Sequence, residues 1–245
     1  MRSGLFSRAE VWNLERIQQD APEFWAKHQG ILNRETRGFG YWIWKPFVIL
    51  ETLKRIDEHF DVLVYLDAGC SINITTNEAR ERFKEYCQLT LATGGLAFQI
   101  RDQKELWWNK MDTVLAVVED ELILDSNQLV GGISMFANVL ESRNLLQRWL
   151  ELGESESYHL IDDSPSQAPN DPTFIAHRHD QAIWSLLVKQ SKFTILKDET
   201  YFGGSWTGYA KRFPFWATRN STGLAKAGDS VAARAIRKIA RIVRR

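Results

Sequence analysis

Cysteine is scarce in this chain. Cys70 and Cys87 are the only two, too few for a disulfide scaffold or a four-cysteine zinc site, and a reduced, cytoplasmic protein is the default reading. No run of 18 apolar residues exists, so no transmembrane helix is expected. The start, MRSGLFSRAEVWN, lacks the apolar stretch of a signal peptide. Five histidines leave little material for a multi-histidine zinc site. Proline is sparse, and three of the six fall within residues 161–176. Net charge is absent as well: 31 basic residues meet 31 acidic ones over 245 positions, which argues against a dedicated nucleic-acid binder. The zero hides a division. Residues 230–245 hold six of the basic residues and no acid, a local +6 that leaves −6 on the rest.

What is present is ordinary in bulk. AVILMFWYC makes up 44% and charged residues 25%, which excludes a disordered or fibrous chain and is enough for one α/β domain. The excess is aromatic: ten tryptophans, thirteen phenylalanines and six tyrosines. Composition leaves open whether they fill the core or line a cleft for a sugar or a nucleotide.

Strands and helices alternate in the pattern. Ile49, Leu53, Ile56 and Phe60 predict a helix over 47–60, with Pro46 suited to its first turn. Asp61-Val-Leu-Val-Tyr-Leu66 predicts a buried strand. Thr75-Thr-Asn-Glu78 has capping-box spacing ahead of a helix that carries Ala79, Phe83, Tyr86 and Cys87 on one side. Strands over 94–100, 129–136 and 193–197 and helices over 105–118, 139–152 and 180–190 follow, and residues 161–176 form a long loop of the kind that often serves function. The alternation predicts α/β architecture with a mainly parallel central sheet.

Four segments can carry chemistry. Asp67 directly follows an apolar strand and precedes Ala68 and Gly69, where open α/β sheets bind ligands. A carboxylate there holds a divalent cation or caps the next turn. Arg37-Gly-Phe-Gly-Tyr-Trp-Ile-Trp-Lys-Pro46 combines aromatic faces, two glycines and two cations before a helix, which suits a ring and a phosphate or an aromatic plug. Lys45, a cation beside a helix start, needs an anion or solvent. His177-Arg-His-Asp-Gln181 suggests acid–base work or a helix N-terminus. The zinc pattern His-x-His-x-Asp-His of metallo-β-lactamases fails here, because Asp180 comes one place early and Ala182 replaces the last histidine. Gly131-Gly-Ile-Ser-Met-Phe-Ala-Asn138 enters a strand through paired glycines, which permit a tight turn or a close ligand.

In this order, the four segments resemble bacterial glycosyltransferases of the GT-A type associated with surface-polysaccharide synthesis (capsule or O-antigen), with glycogenin and the lipopolysaccharide galactosyltransferases as more distant relatives. Tyr65-Leu-Asp-Ala-Gly69 stands where that family has an Asp-x-Asp metal motif. Gly131-Gly-Ile-Ser-Met-Phe136 stands for the acceptor-side strand, and His179-Asp-Gln-Ala-Ile183 for an Asp-Gln motif that opens a helix. The Arg37–Pro46 segment is similar to a signature of the closer bacterial group. The likeness spans roughly residues 20–205. It implies a GT-A-like nucleotide-diphospho-sugar transferase domain over 1–228 that moves a hexose from a nucleotide-diphosphate sugar to a saccharide or lipid-linked acceptor. Asp180 and Asp67 are then the catalytic carboxylates. Arg37, Trp44, Lys45, Asp67, Gly69, Gly131, Gly132, His179 and Gln181 would bind the nucleotide sugar, and Asp67 would hold Mn²⁺ or Mg²⁺.

Two departures from the family stand out. Gly69 replaces the second acid of the metal motif. The first βα unit also has no counterpart: Met1 to Phe6 reads as the end of a helix and Ala9 to Leu14 as the next strand, so the start lies upstream, the chain is a fragment, or the fold is trimmed. Without that strand a neighbour becomes an exposed edge. Both departures favour the alternative of a non-catalytic sugar- or nucleotide-binding protein on a degenerate GT-A scaffold. Residues 229–245 alternate cations with Ile236, Ile239, Ala240 and Val243 at helical spacing. They predict a basic amphipathic helix for an anionic membrane surface, peripheral on the inner face of the plasma membrane.

Overall fold

The computed structural model describes residues 5–33, 35–57, 61–218 and 238–243. Its strands are β1 (Arg8–Trp12), β2 (Val62–Leu66), β3 (Ser71–Ile72), β4 (Gly95–Lys104), β5 (Asn127–Leu129), β6 (Ile133–Ala137), β7 (Thr194–Lys197), β8 (Phe215–Trp216) and β9 (Lys238–Val243). The helices are α1 (Leu14–Asp20), α2 (Pro22–His28), α3 (Gly38–Tyr41), α4 (Trp44–Leu53), α5 (Asn77–Thr93), α6 (Glu105–Trp108), α7 (Met111–Val117), α8 (Leu140–Glu154) and α9 (His179–Lys189).

The main sheet runs β1-β9-β2-β6-β4-β5, with β7 also paired to β4, while β3 and β8 make a separate pair. Among the described residues only β4 and β7 pair in parallel; every other pairing is antiparallel. The sheet is therefore mixed, which corrects the expected mainly parallel one. The reason is order in space. β6 lies between β2 and β4 and β9 lies between β1 and β2, each opposed to both neighbours. As a result β1, β2, β4 and β7 still point the same way, and their carboxyl ends share one edge.

Period-2 side-chain alternation builds the two faces. Val62, Val64 and Leu66 of β2 join Phe83, Tyr86, Leu96, Phe98 and Phe215 under α5, whereas Leu63 and Tyr65 turn to the larger core with Ile49, Leu146, Trp149 and Trp184 under α4, α8 and α9. Burial on both faces explains the unbroken apolar run of β2. Trp44, Trp149 and Trp184 are fully buried, so part of the aromatic excess is core.

Local departures have local causes. Thr76, not Thr75, caps α5, its hydroxyl accepting from the Ala79 amide at 3.2 Å. The helix expected over 105–118 is broken at Asn109–Lys110, because the carbonyls of Trp107 and Trp108 accept amides of Ile175, Ala176 and Arg178 from the long loop. Leu5 and Phe6 are not helical. The C-terminal helix expected over 229–245 is corrected too. Residues 238–243 are the strand β9, hydrogen-bonded to β1 on one side and β2 on the other. Two facing rows of backbone donors and acceptors recruit the β-branched Ile239, Ile242 and Val243 as a strand, outweighing their helical spacing. The membrane-facing helical surface is thus not formed over these residues, and the rest of 229–245 lies outside the described residues. β9 thus fills the place between β1 and β2. Among the described residues, no helix is long and apolar enough to cross a membrane.

Candidate functional site

A cleft opens at the carboxyl ends of β2, β4 and β7, the edge where α/β sheets bind ligands. Its inner pocket, about 310 Å³, is lined by Asp67, Gly69, Gly131, Gly132, Arg178 and Gln181 among others. An outer compartment of about 1050 Å³ shares Ile100, Arg178, Asp198 and Tyr201 with it.

Asp67 leaves β2 in a tight turn. Its amide donates to the Gly132 carbonyl at 2.8 Å, and its carbonyl accepts from Cys70 at 2.9 Å. The Tyr65 hydroxyl donates to Asp67 Oδ1 at 2.6 Å. Burial first, then the carboxylates of Asp67 and Asp180, push the Tyr65 phenol well above its ordinary value, so it stays a donor. Across the pocket, a Cβ on Gly132 would come within 3.0 Å of Asp67 Oδ2. Gly132 is what lets the carboxylate fold against the β6 entrance. Gly132→Ala is expected to displace Asp67 and weaken ligand binding at least about tenfold, with a stability loss of about 1–3 kcal/mol. Gly131→Ala would bring its Cβ to 3.0 Å from Gln181 Cγ rather than against Asp67, and should do less. Calorimetric titration of both variants with nucleotide sugars checks the order.

The start of α9 sorts its residues to different sides. Arg178 and Gln181 face the cleft. The Arg178 guanidinium lies 3.7 Å over the Trp108 ring and donates to Gln103 Oε1 at 2.9 Å, while Gln181 Nε2 donates to the Leu129 carbonyl at 3.0 Å. Asp180 turns away: it forms an ion pair with Lys45, each side chain nearly sealed from solvent, and it does not line the cleft. Lys45 also donates to the Gly131 carbonyl at 3.2 Å, and Trp149 Nε1 donates to the Asp180 carbonyl at 3.0 Å. The pair is a strut directly behind the paired glycines. His179 is buried against Tyr41 and Trp42, both ring centroids 5.5 Å away, and its Nδ1 donates to the Ile161 carbonyl at 2.7 Å. Phe39, Tyr41 and Trp42 all have left-handed backbone there, the geometry that turns the aromatic segment onto α9.

His177 donates through Nε2 to the Leu160 carbonyl at 2.9 Å and accepts the Lys110 amide on Nδ1 at 3.3 Å, a fully used neutral ring. Burial, then the neighbouring His179 and Lys110, lower its pKa to about 3. His179 and His28 are also lowered, chiefly by burial. A histidine held neutral when folded takes up a proton on unfolding, so its stabilisation is complete above about pH 6.5 and is lost as pH falls toward 3. Stability should therefore decline between pH 6.5 and 4. Denaturant titration at pH 7 and pH 4.5 should show a smaller decline for His177→Gln than for the wild type.

The remaining expected residues lie elsewhere. Trp44 is core, its indole donating to the Gly38 carbonyl at 3.0 Å. Arg37 is exposed and meets Asp163 at 3.3 Å. Of the residues expected to hold a nucleotide sugar, the fold gathers Asp67, Gly69, Gly131, Gly132 and Gln181 at the inner pocket, and separates Arg37, Trp44, Lys45 and His179 from it. It adds Arg178, Asp198 and Tyr201. Arg178 belongs to the His177–Gln181 segment, between two histidines whose chemistry is the more conspicuous in the sequence.

Mn²⁺ and Mg²⁺ seek about six oxygen ligands. Asp67 and Asp198 are the carboxylates of the inner pocket, one Asp67 oxygen already accepts Tyr65, and Gly69 offers no side chain. Among the described residues no group of three or more His, Cys, Asp or Glu is placed to hold an ion. The described residues do not by themselves build a cation site, and the expected divalent cation is left without structural support.

Comparison of the chain with protein-family models, with curated proteins and with solved structures returned no match.

Proposed function

We propose that this protein is a GT-A-like glycosyltransferase, taking a hexose from a nucleotide-diphosphate sugar to a saccharide or lipid-linked acceptor in bacterial surface-polysaccharide synthesis. One observation carries the reading: Asp67, Gly131-Gly132 and Gln181, from three segments that resemble family motifs, converge on a single pocket at the ligand-binding edge of an α/β sheet. The mixed sheet is compatible with it.

In this reading the acceptor oxygen attacks the anomeric carbon, and the bond to the diphosphate breaks with its electron pair on the leaving group. Arg178, held flat on Trp108, supplies positive charge for that group in place of the expected Lys45 and Arg37. Asp67 orients donor hydroxyls, and Asp198 is the second carboxylate in reach of the cleft to take the acceptor's proton. Asp180 acts as a positioning residue through Lys45 and the Gly131 carbonyl.

A second reading, a sugar- or nucleotide-binding protein without turnover, is favoured by one observation: the carboxylate expected as base is locked in an ion pair. Calorimetric titration with a panel of nucleotide sugars, with and without Mn²⁺, followed by assay for nucleotide release, separates the two. Binding with release supports the transferase, binding without release under any acceptor supports the second reading, and no binding rejects both.

A further inference from the structure

The outer compartment carries side chains that the inner pocket lacks: the cations Arg101 and Lys197 and a second exposed ring, Tyr209, beside the shared Tyr201. At about 1050 Å³ it stands at the top of the usual range for ligand pockets, with room for more than one sugar ring. Tyr201 and Tyr209 line it while 49% and 63% exposed, unusual for large rings on a folded surface. They are not loose. Tyr209 packs on Phe213 at 5.1 Å, Phe213 stacks on Phe202 at 5.3 Å, and Tyr201 packs on Trp206 at 6.3 Å. Such a rigid aromatic shelf suits the C–H face of a sugar, with the phenol hydroxyls left for polar contacts.

Cations outnumber free carboxylates on the same walls: Arg101, Arg178 and Lys197 face Asp198, while Glu199 is held by Arg82. Glu199 accepts the Arg82 guanidinium on both oxygens and the Tyr86 hydroxyl besides. Asp198 Oδ1 accepts the Thr200 amide and hydroxyl at 2.8 and 2.7 Å. Arg101 and Lys197, by contrast, form no ion pair among the described residues, and both line the compartment. They come from adjacent parallel strands. Lys197 lies opposite Gln99, and Arg101 is two residues further along β4, so both cations stand at the same end of the two strands on the compartment wall. Like charges set side by side repel unless an anion lies between them.

We propose that the outer compartment receives an acceptor saccharide bearing a carboxylate or phosphate, with the ring on Tyr201 and Tyr209 and the anion between Arg101 and Lys197. The assignment of this compartment to the acceptor rests on the transferase reading, which gives the inner pocket to the donor. The anion preference itself stands on the outer walls alone.

The test is binding by NMR or calorimetry with three disaccharides: cellobiose, its uronic acid (glucuronyl-β-1,4-glucose) and its 6′-phosphate. The full chain should bind at least one anionic sugar about tenfold tighter than cellobiose, and the preference should shrink with added salt. Arg101→Gln/Lys197→Gln, two exposed substitutions, should abolish the preference while leaving cellobiose binding, UDP-glucose binding and Tm unchanged. Tighter binding of the uronate identifies a carboxylate acceptor, and of the phosphate a phosphorylated one. Equal affinity for neutral and anionic sugars, a preference that survives the double substitution, or no saccharide binding at all overturns the proposal. Anion preference without any nucleotide-sugar binding would sink the transferase reading and leave the anionic site standing.

Discussion

Replacing Asp67 by alanine is expected to lower kcat/KM for sugar transfer at least about 100-fold, equivalent to about 2.7 kcal/mol of transition-state stabilisation. The carboxylate stands at the end of β2 with one oxygen set by Tyr65 and the other against Gly132, a position held by the turn rather than by the core. Its removal deprives the Tyr65 hydroxyl of an acceptor at the cleft, where water can replace it. Stability should therefore fall by only about 1 kcal/mol. Asp67→Asn keeps the shape and the hydrogen bond but not the charge. If charge is what matters, the asparagine variant should lose nearly as much activity as alanine while melting like the wild type. Turnover retained in both variants would remove Asp67 from the site. Nucleotide-sugar titration and a melting curve on each variant complete the comparison.

Lys45→Met should have the largest effect on stability, a loss of about 3–5 kcal/mol. Lys45 and its partner Asp180 are 3% and 4% exposed, so the substitution strands a buried carboxylate. For a chain of this length, roughly 2–4 °C of melting temperature follows each kcal/mol, so Tm should drop by about 6–20 °C. The double substitution Lys45→Met/Asp180→Leu replaces the pair with apolar side chains of similar bulk and should recover most of the loss. It should not recover full ligand binding, because the Gly131 carbonyl loses its Lys45 donor and the paired glycines lose their strut. A catalytic Asp180 predicts otherwise: Asp180→Asn would then abolish turnover while leaving nucleotide-sugar affinity intact. A positioning Asp180 changes KM and Tm together.

The parts of the site that were legible in the amino-acid sequence are those made by short stretches of chain. An apolar strand followed by Asp67, paired glycines ahead of β6 and an Asp-Gln helix start are local patterns, and each of those segments brings at least one residue to the inner pocket. Four of the nine residues expected to bind the donor are not there: Arg37 is exposed beside Asp163, and the other three share one cause. Trp44, Lys45 and His179 had two outlets, cleft or interior. Which one a side chain takes depends on the rotation of its helix against partners far along the chain. Lys45 meets Asp180 135 positions away, and His179 meets Tyr41 and Trp42. Arg178 was hidden for the complementary reason: its platform, Trp108, is 70 positions away.

The sequence by itself determined the α/β character, the buried strand of β2, most helix positions, the loop over 161–176 and the strand end at which the candidate pocket opens. Those follow from periodicity and turn chemistry, which act over a few residues. Only the tertiary structure decided the order and direction of the strands. β6 and β9 run against their neighbours because of where they insert, and strand pairing is a contact between distant segments that leaves no local mark. The last segment shows this physics most plainly. Lys238–Val243 carries a helical spacing of cations and a strand-like content of β-branched residues. The open backbone of β1 and β2 on either side supplied hydrogen bonds that only a strand can take.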